Sequence, residues 1–175
     1  LSGKSWVLKN YNQEDISFIK DNYSLDEITS KLLSIRNIKK EEINSFLNPS
    51  LKNFLPNPNN LTDMKKATLR TYEAMFKNEV IGIFGDYDVD GVTSTVQLVS
   101  MLRTLDLEPR YSVPRRMEEG YGLSRAAIDR IFDGAIPQLF IALDCGTNAH
   151  EPIAYLRGLG IDVIVVDHHQ TKTLQ

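Results

Sequence analysis

The sequence predicts an α/β protein: an open parallel sheet with helices on both faces, preceded by a small helical N-terminal region. Three observations predict it. From Thr62 onward, short and nearly continuous apolar runs alternate with stretches of helical periodicity, the pattern of a parallel sheet covered on both sides. Three of those runs end in acidic or acid-histidine clusters, and the ligand crevice of an open α/β sheet lies outside the carboxyl ends of its strands. Ahead of them stands a polar segment of about 55 residues that ends in a proline- and asparagine-rich stretch. The expected division is residues 1–60, a helical region and linker, and residues 61–175, a catalytic-type α/β domain.

The elements follow in order. Leu25, Ile28, Leu32 and Ile35 recur at helical spacing, with Ser24 as the expected N-cap and Glu27 three residues on, the capping-box pattern. Glu41 to Leu47 reads as a second short helix ended by Asn48-Pro49. Residues 53–60 read as an extended linker, because their prolines and asparagines disfavour helix and central strand. Thr62 is the expected cap of a helix to about Lys77, followed by a buried strand over Val80–Phe84. Thr93–Leu105 is helical, Pro109–Val113 a short strand, and Ser124–Phe132 helical. Gln138–Leu143, Glu151–Leu159 and Asp162–Val166 complete the alternation as strand, helix and strand. The chain stops six residues after His169, so the α/β domain is expected to lack its final part.

Composition narrows the class. With 175 residues, 42% hydrophobic and 25% charged, the chain reads as an ordinary soluble globular protein of one domain or one and a fraction. No apolar run approaches the roughly 20 residues that span a bilayer, and the start has no apolar signal-peptide core. The single cysteine, Cys145, cannot form an internal disulfide, which fits a cytoplasmic protein. A net charge of −3 argues mildly against a broad nucleic-acid-binding face. Cations bound by the acids would, however, reverse the sign locally.

The clusters carry the chemistry. The first strand runs into Asp86-Tyr87-Asp88-Val89-Asp90-Gly91, the third into Asp144-Cys145-Gly146, and the fourth into Asp167-His168-His169. If those strands are neighbours, about seven ionisable groups converge at one edge. That many carboxylates share a site only when cations neutralise them. Oxygen and imidazole donors suit Mn²⁺. The arrangement therefore predicts a two-metal site that cuts a phosphate ester, with ions about 3.5–4 Å apart. In an extended segment Asp86, Asp88 and Asp90 share one side, and Gly91 permits a turn into a helix. Its N-terminus, with Thr93 and Ser94 as hydroxyl donors, is a natural seat for a phosphate. Taken singly, each cluster also fits helix capping or a solvated strand end, and for Asp144 alone that reading is the stronger. Three together at strand ends favour the metal site. Cys145 reads as a small packed side chain. Between the clusters, Arg115 and Arg116 suit phosphate oxygens and Tyr121 suits stacking on a base; a surface turn with solvated arginines explains the spacing equally well.

These residues resemble a known family. Gly85 to Ser94, Asp144-Cys145-Gly146 and Asp167-His168-His169 resemble the motifs of the DHH phosphoesterase superfamily, whose domain is Rossmann-like. Glu119 to Ser124, Leu61 to Ala67 and Trp6-Val7-Leu8 resemble its RecJ branch in particular, the single-strand-specific exonucleases. The resemblance implies Asp88, Asp90, Asp144 and His168 as metal ligands. Asp86, Asp167 and His169 complete the catalytic site, and Arg116 and Tyr121 lie near the DNA path. It implies two Mn²⁺ ions, with Mg²⁺ as substitute. It also implies 5′→3′ release of mononucleotides from single-stranded DNA in repair and recombination, with a helicase and a single-strand-binding protein as partners. The family takes a further Asp ligand and DNA-clamping domains from regions beyond this chain, so the 175-residue piece alone is expected to be weakly active or inactive. Three competing readings are a superfamily enzyme for short oligonucleotides or small nucleotides, a haloacid-dehalogenase-type phosphatase, and a non-catalytic replication scaffold. The second, suggested by Asp88-Val89-Asp90-Gly91, needs its first Asp directly after the strand as nucleophile, where Asp86 and Tyr87 intervene, and it gives Asp167-His168-His169 no role. The third is expected to have lost ligands that this chain retains.

Overall fold

A computed structural model describes residues 3, 5, 7–115, 122–132 and 135–171. The chain packs as two compact units, residues 1–58 and 59–175. In the first unit, α1 (Gln13–Tyr23) and α2 (Glu27–Ile35) form a helical pair, followed by a 3₁₀ turn at Lys40–Glu42, α3 (Ile43–Leu47) and α4 (Leu51–Phe54). Its small core is Ile19, Leu33 and Ile43, with Phe18, Leu25, Ile38 and Leu47 packed against it. Asp26, not Ser24, caps α2: its side chain accepts from the Thr29 amide at 2.9 Å. Ser24 instead ends α1 in the left-handed conformation, with φ 52°. The stretch expected as an extended linker includes the end of α4 and a 3₁₀ turn at Pro58–Asn60. Proline is compatible with the first residue of such a turn because its missing N–H would go unused there.

The second unit opens with α5 (Met64–Phe76) and continues β1 (Ile81–Gly85), α6 (Val89–Arg103), β2 (Arg110–Ser112), α7 (Arg125–Ile131), β3 (Leu139–Leu143), α8 (His150–Gly158) and β4 (Asp162–Val166). All pairings are parallel, in the order β2-β1-β3-β4. The three strands that carry the sequence clusters are therefore neighbours. Ile81, Ile83, Leu139 and Ile141 face Ala74 of α5 and Val99 and Leu102 of α6. Phe84, Phe140 and Ala142 face Ala127 and Ile128 of α7 and Leu156 of α8. Period-two alternation sends successive side chains into these two cores. Phe84 and Phe140 are fully buried, each worth about 1.5–3 kcal/mol relative to exposure. Helices thus cover both faces of the sheet. β2 and β4 are the edge strands, and on β4 Val165 and Val166 are partly exposed.

Register matters more for function than composition does. Gly85 pairs with Leu143, and Leu143 with Val166. The residues that follow these three aligned ends are Asp86, Asp144 and Asp167. The chain leaves β1 toward β2 on one side, while β3 lies on the other, so β1 and β3 flank a topological switch point.

Candidate metal centre

Pairing continues one residue past the strand ends. The Asp86 amide donates to the Leu143 carbonyl at 3.2 Å, and the Asp144 amide to the Val166 carbonyl at 2.7 Å. These bonds hold the first residues of two of the clusters, Asp86 and Asp144, at the sheet edge. Asp86 is fully buried; its Oδ1 accepts from the Tyr87 amide at 2.7 Å. The chain then turns at once. Asp88 is the N-cap of α6, and its Oδ1 accepts from the Gly91 amide at 3.1 Å. That bond is the main reason its carboxyl is held below the usual range. The turn is tight enough to require glycine at both ends. A Cβ on Gly85 would strike Thr95 Oγ1, and one on Gly91 would strike the Asp86 backbone.

This geometry corrects the expected start of α6. The helix begins at Val89, not Thr93, because Asp88 caps it. Asp86, Asp88 and Asp90 are therefore brought near one another by a strand end, a cap and a first helical turn, not by extended alternation. Thr93 stands one turn inside the helix, where its hydroxyl donates to the Val89 carbonyl at 2.6 Å; Ser94 is the next residue inward.

Asp144 sits at the centre. Its backbone is left-handed, with φ 59°, a conformation that Asp tolerates better than most residues but which still stores strain. Its side chain is only 4% exposed, and His168 Nε2 lies 3.0 Å from Oδ1. That approach lacks hydrogen-bond geometry. Both Asp144 oxygens, like Asp86 Oδ2, have no hydrogen-bond partner among the described residues. Burial, reinforced by the neighbouring Asp88 carboxylate, raises the Asp144 carboxyl. On the far side His168 Nε2 is 3.9 Å from Oδ2 of Asp90, a side chain that is 71% exposed.

Asp167 is satisfied where Asp144 is not. Its Oδ2 accepts from the Thr147 amide at 2.9 Å, and its Oδ1 accepts from the His169 amide at 3.0 Å and meets His169 Nδ1 at 2.8 Å. Burial acts to raise its carboxyl, but the bonds from His169 and Thr147 together hold it well below the carboxylate range. The hydrogen bond to Asp167 in turn raises the His169 imidazole. One ligand atom each from Asp144, His168 and His169 lies within 4.8 Å of the others. Cys145 is buried, and burial followed by the nearby acids pushes its thiol up to about 12. It is a packed side chain, not a nucleophile.

All seven of the predicted acids and histidines thus stand at this end of the sheet. Arg116 and Tyr121 lie outside the described residues. Sequence reasoning missed Thr147, which acts through its backbone N–H, and Asn148, whose Nδ2 donates to the Gln170 carbonyl at 3.0 Å. The only signal for either was their place in a turn after Gly146. Among the described residues, no helix is long and apolar enough to cross a membrane.

A carboxylate with both oxygens buried and without donors among the described residues, flanked by two imidazoles, fits a divalent cation by the chemistry of its donor set. Comparison with known proteins bears on the same residues. Residues 80–175 match the model of the DHH family, N-terminal domain. The chain belongs to the DHH family. Its relatives include the single-stranded-DNA-specific exonuclease RecJ of Bacillus subtilis, 31% identical over 166 residues, covering 94% of this chain and 21% of the relative. The Escherichia coli RecJ is 39% identical over 124 residues, 70% of this chain and 21% of the relative. Among solved structures, exonuclease RecJ bound to manganese is 34% identical, with a TM-score of 0.59, over 65% of this chain and 29% of that one. The RecJ–Mn²⁺ complex from Thermus thermophilus shares the fold, with a TM-score of 0.57 over 95% of this chain and 22% of that one. The DHH chain described here spans about a fifth of the length of these curated relatives.

Proposed function

We propose that this DHH domain is the cation-binding core of a single-stranded-DNA-specific exonuclease that releases mononucleotides in the 5′→3′ direction, in DNA repair and recombination. The observation that carries the reading is the set of three buried carboxylate oxygens, on Asp86 and Asp144, without hydrogen-bond donors among the described residues. Asp88, Asp90, Asp144 and His168 are the ligands in this reading, for two Mn²⁺ ions with Mg²⁺ as substitute. When bound, such cations neutralise phosphodiester charge and acidify water. The chain's own residues supply the rest. Asp144 offers two oxygens from a fixed, buried position. Asp88 holds the start of α6 beside it through the Gly91 amide. The His169 ring, held at Nδ1 by Asp167, stands beside Asp144 and His168 and completes the site. Arg116 and Tyr121 are assigned to the DNA strand, with a helicase and a single-strand-binding protein as further partners, in the cytoplasm.

The test is to assay the full-length parent with Mn²⁺ on single-stranded DNA labelled at its 3′ end, beside the duplex. Stepwise shortening from the 5′ end with duplex spared is expected. Intact DNA from a protein that binds Mn²⁺ would overturn the DNA reading in favour of a small-nucleotide phosphoesterase. The 175-residue chain alone is expected to be weakly active or inactive.

A further inference from the structure

The acids of the cluster divide into two kinds. Asp86 and Asp144 keep oxygens without donors among the described residues, whereas both oxygens of Asp167 are engaged. Two of its three hydrogen bonds come from backbone amides, of Thr147 and His169, and the third partner is the His169 ring. With its side chain 3% exposed, Asp167 has little room to turn. The bond from Asn148 Nδ2 to the Gln170 carbonyl joins the same two loops a second time. A carboxylate held by two amides is fixed before any ligand arrives. An ionised carboxylate only accepts, so the imidazole nitrogen that faces it is the one that carries hydrogen.

We infer that Asp167 is a positioning residue and not a cation ligand: it fixes His169 as the Nδ1–H tautomer, so that a bond from this ring to a cation goes through the lone pair of Nε2. The inference rests on reading the cluster as a cation site, and it assigns Asp167 a role separate from Asp144 and Asp88. Carboxylate partners of this kind set the orientation and basicity of histidines in metal sites.

Long-range ¹H–¹⁵N correlation spectra of the metal-free chain, above the imidazole titration range, read the tautomer directly. The chain has three histidines, so single His→Gln variants assign every signal. His169 is expected as the Nδ1–H form in the unaltered chain. In Asp167→Asn the amide has one acceptor oxygen for partners that now use two, and the ring is expected to shift toward the Nε2–H form favoured by unconstrained imidazole. The His150 signal serves as the control for folding. Mn²⁺ affinity, measured by titration, is expected to fall far less than in Asp144→Asn, because Asp167 acts only through the ring it holds.

An Nε2–H ring in the unaltered chain would overturn the inference, and that spectrum depends on no variant. So would an unchanged tautomer in folded Asp167→Asn, or a loss of Mn²⁺ binding as complete as that of Asp144→Asn, which would make Asp167 a ligand. The two readings fail separately. An Nδ1–H ring in a chain that ignores Mn²⁺ would sink the cation site alone. Mn²⁺ binding with an Nε2–H ring would sink the positioning role alone.

Discussion

The two ends of the same three strands treat charge in opposite ways. At the amino ends of β1, β3 and β4, one cation is matched to its surroundings. Arg70 of α5 donates from Nε to Asp162 at 2.6 Å, and from Nη2 to Glu79 at 2.6 Å and to the Gln138 carbonyl at 3.4 Å. Only Arg70 Nη1 lacks a partner there among the described residues. At the carboxyl ends, five carboxylates meet two imidazoles, and three buried oxygens lack donors among the described residues. Glu79, Gln138 and Asp162 thus join strands to a helix, whereas Asp86, Asp144 and Asp167 start loops around an acidic centre. At the first end the protein itself supplies the opposite charge. The second is incomplete without a positive ligand, and a fold keeps such a liability mainly where it serves chemistry.

The comparison breaks first at Asp144. Asp144→Asn keeps the shape and removes the central charge. Mn²⁺ affinity is expected to fall by more than about 100-fold, beyond the loss typical of outer partners. The metal-free chain is expected to unfold at the same temperature or higher, because a buried charge without donors is gone. Isothermal titration and thermal melts check the two halves. A metal-free chain destabilised by the change would mean that the protein, not a cation, satisfies Asp144.

Arg70→Met should do the reverse. It leaves Glu79, 18% exposed at its side chain, without its cation. Removing one partner of a fully buried pair costs about 3–5 kcal/mol. Since Asp162 is 64% exposed, a cost of about 2 kcal/mol is expected, or about 4–8 °C in Tm for a chain of this size. Mn²⁺ affinity should not move. The two variants have no shared partner, so their effects on stability should add.

A smaller effect is set by pH. The Asp144 carboxyl is raised by burial and by Asp88. Between its ordinary value of 3.8 and its raised value, the folded chain binds the proton that the unfolded chain has lost, so this group's contribution to stability falls as pH rises. The amide introduced by Asp144→Asn mimics the protonated acid. The unaltered chain and Asp144→Asn should therefore be equally stable in acid and diverge above that window, by about 1 kcal/mol, the low end of the cost of a buried group without donors. Denaturant melts across the window check the sign, and a gap of constant size would refute the account. Asp167, with a depressed carboxyl, acts oppositely: its contribution is present above the ordinary carboxylate value and is lost as pH falls below it.

Much of this contrast was legible from one end only. The acidic end declares itself in sequence, because three apolar runs each terminate in a cluster and the parallel fold aligns those termini. What the sequence lacked was the local turn. Read as extended, Asp86 to Asp90 implied a helix from Thr93, whereas capping by Asp88 starts it at Val89. A cap depends on one side chain folding back, which periodicity does not encode. The cap of α2 is equally hidden, since Ser24 and Asp26 are both good capping residues and periodicity does not choose between them. The matched end was invisible. Arg70 and Asp162 are 92 positions apart, and a single arginine at a helical polar position signals nothing until the sheet brings the acids to it.

The smallest effect separates ion pairing from burial. At the same end of the sheet, ahead of β2, Arg103 Nε lies 3.3 Å from Glu108. The chemistry repeats the Arg70 pairs, but here the side chains are 48% and 78% exposed. Water solvates either group when the other is removed, and freezing two long side chains offsets the attraction. Glu108→Ala is therefore expected to change stability by less than about 0.5 kcal/mol, and added salt should erase even that. Arg70→Met should keep most of its cost in salt, because Glu79 stays partly buried. If the two variants proved equally mild, matching of charge at the amino ends would be surface decoration, and the contrast with the acidic end would reduce to the cost of burying Asp86 and Asp144 alone.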